Sequence, residues 1–408
     1  MIFYEMKKIL LKNSAKVALI FLGGVTLFMI HMAINGVWYV DESGISHYGI
    51  KAARLLEEVK SQWEGPLTTE HLARVIETNN KENASPQAMS DNIDQQNISF
   101  GRKQGYSDIL LLLDKAFGTF DQFDYYTVNE LTVEDAGNFY TGRVESVRQW
   151  LDGEAGERYT QQEKEYLIRQ FEKVKVPLYY EAADGWDQLF YLSPSLITVI
   201  ALVIGYLVSG IFSCEKQWKA DAVFFTSFHG KKKGVRSKLW AGLAITAGTY
   251  FTSMAIFTGG VLGCIGTGGA GTMIQAQFFG CDSLYNMTVW QEYVVILLGG
   301  FLGCLFFALL AMAVSAGTGS SILAVTIPFI FILLPNFLAN LAIPGLDQVF
   351  ALLPDQLLQM NLVISGYHLY PVGGMVFGAV PLLFMIYGGL TLGLLPGIYM
   401  LYTRTVVR

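Results

Sequence analysis

Six apolar runs dominate this sequence, each close to or beyond the ~18 residues that a helix needs to cross a bilayer. They occupy 17–40, 190–213, 239–265, 292–316, 320–343 and 374–402. No Asp, Glu, Lys or Arg lies deep in any of these six stretches. Of the 408 residues, 52% are hydrophobic and only 15% charged, too apolar for an ordinary soluble protein. The expected fold is an all-α integral membrane protein with six transmembrane helices. Between the first and second runs lies a polar insert, 41–189, with 15 Lys and Arg against 27 Asp and Glu, a net charge of −12. The rest of the chain has 13 cations against 7 acids, a net of +6. Those cations fall in three places: four before the first run, seven in 214–238 and two in the C-terminal tail. The connections 266–291 and 344–373 have none. Cationic connections stay in the cytoplasm, so both termini are expected there, in a cell membrane, with 41–189 extracellular.

The chain reads as three parts. Residues 1–40 comprise an interfacial helix and the first span. Ile2, Phe3, Met6, Ile9 and Leu10 form an apolar stripe, with Lys7, Lys8, Lys12 and Lys16 towards other faces. A signal peptide is the competing reading, but Gly36, Val37, Trp38 and Tyr39 offer no clean small-residue cleavage site. Trp38 and Tyr39 suit an outer aromatic belt. Residues 41–189 read as a mainly helical domain, large enough for its own core. Tyr48, Ala52, Leu55, Leu56, Val59 and Trp63 recur at helix spacing, as do Ala136, Phe139, Tyr140, Val144, Val147 and Trp150. Thr132 with Asp135, and Thr160 with Glu163, mark helix starts. The Asn-, Ser- and Gln-rich stretch 78–104 is expected to be a mobile loop, and Phe120, Phe123, Tyr125 and Tyr126 to be core. Residues 190–408 hold the remaining five spans.

Cys214 to Lys238 is the most informative connection. Lys216, Lys219, Lys231, Lys232, Lys233, Arg236 and Lys238 outweigh Glu215 and Asp221. Trp218, Ala222 and Phe225 share one face if Glu215 to Phe228 is a helix. The loop resembles the cytoplasmic loop between the second and third spans of type-2 ABC transporter permeases, through Glu215, Asp221, Val223, Phe224, Phe225, Thr226, Ser227, Gly230, Lys231 and Lys238. Lys219 stands where that family usually has Gly. The resemblance implies a coupling helix docking on a separate ATPase subunit through Glu215, Trp218, Asp221, Phe224, Phe225, Gly230 and Lys231. It also implies outer re-entrant helices before the last span. The segment 344–373, apolar at Val349, Phe350, Leu352, Leu353, Leu357, Leu358 and Met360 and bounded by Pro354 and Pro371, suits one.

Chemistry-bearing patterns are few. The chain has no GxxxxGK[ST] phosphate loop and no HExxH, and four cysteines without a CxxC give no zinc module. No metal, no cofactor and no nucleic-acid partner is expected. With no ionisable group deep in a span, ion-coupled transport is disfavoured. Pro335, Asn336 and Asn340 are candidates for a translocation path, or act as hydrogen-bonding glue between helices. Cys264 and Cys281, 17 residues apart, read as a disulfide or as two separate thiols. The expected function is the permease subunit of an ATP-driven ABC exporter, not itself an enzyme. It would work as a dimer with a second permease chain, in a lipid bilayer, with ATP bound by the partner subunits. A peptide antibiotic, a lipid or a small toxic compound would suit such a carrier. The alternative is a membrane-anchored sensor whose outer domain binds a peptide and signals through the basic loop.

Overall fold

The computed structural model describes residues 1–122, 124–220, 223, 226, 230–338 and 346–403, with backbone alone at 231 and 336–338. The chain opens with α1 (Ile2–Leu10) and α2 (Asn13–Gly36). The insert contributes α3 (Gly49–Ser61), α4 (Thr69–Asn83), α5 (Ile93–Lys103), α6 (Ser107–Phe117), α7 (Phe139–Asp152) and α8 (Gln161–Glu172). There follow α9 (Asp184–Ser209), the short α10 (Cys214–Gln217), α11 (Val235–Ile265), α12 (Val289–Thr318), α13 (Ser321–Leu338) and α14 (Ala379–Thr403). The protein is mostly helical. Among the described residues its strands form three short antiparallel pairs.

Five helices, α2, α9, α11, α12 and α14, are long and apolar enough to cross a membrane. The remaining run is helical over α13, and its continuation, 339–345, lies outside the described residues. The most buried of the five is α9, which packs against α2, α11, α12 and α13, while α2 is the least buried. A continuous apolar surface explains this centrality: Leu196, Ile197, Ile200, Ala201, Ile204 and Val208 are all buried.

Close helix approach depends on glycine in α12. A methyl at Gly300 would meet the Tyr250 hydroxyl at 2.6 Å, and one at Gly303 would meet Leu358 at 2.7 Å. That second contact brings the segment before α14 into the bundle. Gly303 lies 14 residues into α12, about 21 Å along it at 1.5 Å per residue. The 3₁₀ turn Pro354–Gln359 therefore packs far down α12, with Leu357 and Leu358 buried. In α11, Gly260 meets Ile30 closely, whereas Gly259 and Gly263 have open space beside them.

The insert is folded on two apolar cores. One gathers Leu72, Ile76, Ile109, Leu113 and Phe139. The other gathers Phe120, Val147, Trp150, Leu167 and Phe171, and also takes in Leu284 and Leu369 from the bundle's connections. The antiparallel pairing of Gly65–Pro66 with Tyr179–Tyr180 joins distant parts of the insert. The helix starts at Thr132 and Thr160 carry reciprocal capping boxes with Asp135 and Glu163.

Three local expectations differ from the structure. The stretch 78–104 contains the end of α4 and all of α5, because its polar side chains bond to protein. Asn80 donates to the Leu131 carbonyl at 2.9 Å, Asn83 to Asn129 at 2.7 Å, and Asn92 caps α5. Of the aromatic cluster, Phe120 is core, Tyr125 and Tyr126 are exposed, and Phe123 lies outside the described residues. Helix α2 ends at Gly36, before the expected aromatic belt. Trp38 is in a strand and stacks on Phe100 at 5.1 Å, while Tyr39 is buried.

A candidate coupling site at the base of the basic loop

Glu215 sits in α10, immediately after the turn that ends α9. Lys238 is one turn into α11 and has no exposed surface. Its Nζ donates to Glu215 Oε1 at 2.7 Å and to the Ile211 carbonyl at 2.6 Å. Lys8 of α1 donates to the same Oε1 at 2.7 Å. Glu5 lies 3.4 Å from Lys238, and Tyr402, near the end of α14, donates to Glu215 Oε2 at 3.5 Å. Burial alone would raise the Glu215 carboxyl, but Lys238 and Lys8 hold it down at about 2. Burial likewise opposes charge on Lys8, yet its bond to Glu215 raises its pKa. The result is a half-buried ionic knot joining α1, α10, α11 and α14. Gln217 extends it by donating to the Ser321 hydroxyl at 2.9 Å, at the start of α13.

The expected helix from Glu215 to Phe228 is broken early. Its first piece ends at Gln217, and Lys219 adopts a left-handed backbone with φ of +56°. That conformation suits glycine better than lysine. Trp218 is exposed beneath two cations, with Lys8 at 5.0 Å and Lys12 at 5.7 Å from its ring. Gly230 is buried and opens a π-helical turn, Gly230–Gly234, leading into α11. Lys231 is described in backbone only, and Asp221, Phe224 and Phe225 lie outside the described residues. The structure thus gathers Glu215 and Trp218 with Lys8, whose role the sequence reading missed because α1 and the loop are 207 residues apart.

A second ionic knot ties the insert to the bundle. Lys60 of α3 lies 2.7 Å from Asp108 of α6 and 2.7 Å from Asp184 at the start of α9. Tyr180 donates to Asp108 at 2.8 Å. Burial works against the Lys60 charge, but the two carboxylates outweigh it and raise its pKa.

The remaining site residues are more scattered. Pro335 is buried in α13, Asn336 is described in backbone only, and Asn340 is outside the described residues. Cys264 and Cys281 are free thiols, so the disulfide reading does not hold here. Cys281 is held instead in the insert's first core, its thiol donating to the Phe278 carbonyl at 3.0 Å. Sequence reading also missed Asp355. It lies in the connection before α14, not in a run, yet it is 1% exposed and its Oδ1 has no hydrogen-bond partner. Asp355 is thus a buried carboxyl in the turn packed against α12, outside the six apolar runs. No group of three or more candidate metal ligands occurs among the described residues. Comparison of the chain with protein-family models, with curated proteins and with solved structures returned no match.

Proposed function

We propose that this membrane protein is the permease subunit of an ATP-driven exporter of the ABC type. In this reading six helices cross the bilayer, both termini face the cytoplasm, and 41–189 is extracellular. Two permease chains and two ATPase subunits form the working unit, and ATP is hydrolysed only on the ATPases. The observation that carries the reading is the knot around Glu215. A basic loop that only fixed topology would need no buried ion pair at its root. Here the root of the loop is bonded to α1, α11, the start of α13 and the end of α14. A push on the loop by a docked ATPase would reach all four, and through them rock the bundle. Buried charge pairs often cost more in desolvation than they return, so their retention favours a positioning role.

Phe224→Asp or Phe225→Asp is expected to abolish co-purification of the ATPase while leaving the permease inserted at normal abundance. Unchanged pull-down in both variants would show that the loop is not the dock. The sensor reading has one observation of its own, the Lys60 tie between the insert and α9, which a signalling device also needs. It requires no ATPase, so the same co-purification separates the two.

A further inference from the structure

A cavity of about 250 Å³ opens where the end of α2, α3, α5 and the start of α9 meet. That is room for one small headgroup and a short stem, just under the ~300–1,000 Å³ of drug-sized sites. Trp38, Phe100 and Phe279 line its apolar side, and Asp184, Asp187 and Gln188 its polar side. Lys60 also reaches it, but its charge is already divided between Asp108 and Asp184, each at 2.7 Å. Asp187 is left without such a partner. Its carboxyl lies deep in the protein and lines the cavity, and it has no hydrogen bond or ion pair among the described residues. The residue is half-buried, and its oxygens are not sealed off from the cavity. Asp184, Asp108 and Glu292 repel its charge, against the attraction of Lys60 alone. Glu292 is an independent sign of the same shortage. It belongs to another helix, α12, is 7% exposed, and its carboxyl also has no partner among the described residues. Carboxylates withdrawn from water are costly without a counter-charge, so this place is short of a cation.

We propose that this cavity binds a primary ammonium group on a short alkyl stem. Its three N–H donors are met by the Asp187 carboxylate, the Asp184 oxygen that Lys60 does not use, and the Gln188 amide oxygen. The Gln188 oxygen sits over Gly36, where an added Cβ would meet it at 2.7 Å. The stem lies on the aromatic side, where Trp38 and Phe100 are stacked at 5.1 Å. A metal ion suits the place less, because no group of three or more candidate ligands occurs among the described residues. The bound amine touches the end of α2, the insert and the start of α9 at once, and so fastens the insert to the bundle.

The test is thermal unfolding of the full chain in detergent, titrated at neutral pH with n-propylammonium chloride against sodium chloride of equal ionic strength. Saturation-transfer NMR on the same solutions reads binding directly. Tetramethylammonium, which has the charge but no N–H, and 1-propanol, which has the stem but no charge, serve as comparisons. No ATPase is present, so the result is independent of docking at the Glu215 loop. The expected result is a midpoint that rises with the amine concentration, and saturable transfer to the propyl protons. Asp187→Asn removes the unpaired charge at nearly constant shape and is expected to weaken binding at least about tenfold. Gln188→Met, which removes one acceptor, is expected to cost several-fold, and it decides the matter where Asp187→Asn folds poorly. Three outcomes would overturn the proposal: no binding of the amine to the parent chain, binding undiminished in the variants, or tetramethylammonium binding as well as the primary amine.

Discussion

Asp114 carries a proton balance that the rest of its domain must accommodate. It is buried in α6, and its Oδ1 accepts the Val128 N–H at 2.7 Å. Burial pushes its carboxyl up to about 6, against the help of that N–H, and Asp124 adds to the rise. The unfolded chain would titrate near ~3.9, so the folded state holds this proton more tightly. Its contribution to stability is therefore fully present below about pH 4 and lost as the pH rises through about 6. Asp114→Asn keeps an acceptor for Val128 and removes the titration. Thermal melts from pH 4 to 7 are expected to flatten in this variant, with a gain of about 1–2 kcal/mol at pH 7. A wild-type pH profile retained in the variant would place the titrating group elsewhere. Lys219 is the other residue with a local cost. A left-handed lysine gives up roughly 1–2 kcal/mol relative to glycine, and here it lies at the exit from the Glu215 knot.

Among the elements, α12 shows how small side chains set the architecture. Gly303→Val is expected to destabilise by about 1–3 kcal/mol, because its added atoms meet Leu357 and Leu358 in a packed interior. Gly263→Val, in open space on α11, is expected to lie within about 0.5 kcal/mol of the parent chain. Equal melting temperatures for the two would refute the close approach of the 354–359 turn. The apolar runs and the capping pairs at Thr132 and Thr160 were readable in the sequence. Each of these signals lies within a few residues of chain. What the sequence hid was long-range. Asn80 and Asn83 look solvated until Asn129 and Leu131 arrive beside them. Asp355 looks like a loop residue until its 3₁₀ turn is packed against α12. Around the Glu215 knot, local pattern singled out Glu215 and Trp218, but not Lys8 and Tyr402, since their contact depends on how α1 and α14 are placed.

For the molecule as a whole, the Lys60 knot is one of the contacts that join the insert to the bundle. Its lysine is buried, while Asp108 and Asp184 keep partial exposure. Lys60→Met leaves two carboxylates facing each other without a cation. A loss of about 2–4 kcal/mol is expected, below the full cost of a wholly buried pair because water still reaches the acids. Lys60→Arg should recover part of it. The measurement is thermal unfolding of the purified chain, with limited proteolysis of 41–189 as the second readout. An unchanged midpoint in Lys60→Met would mean that apolar packing alone holds the two parts.

The Glu215 knot also has a consequence in time. Lys8 and Glu215 are 207 residues apart, so at ~5–20 residues per second a ribosome reaches the acid roughly 10–40 s after the lysine. Throughout that interval α1 has no carboxylate waiting for it at this position. Lys238 is made later still, and Tyr402 last among these groups. The joint therefore closes only once nearly the whole chain has been synthesised, and a nascent chain stalled before α10 leaves its first helix unlatched.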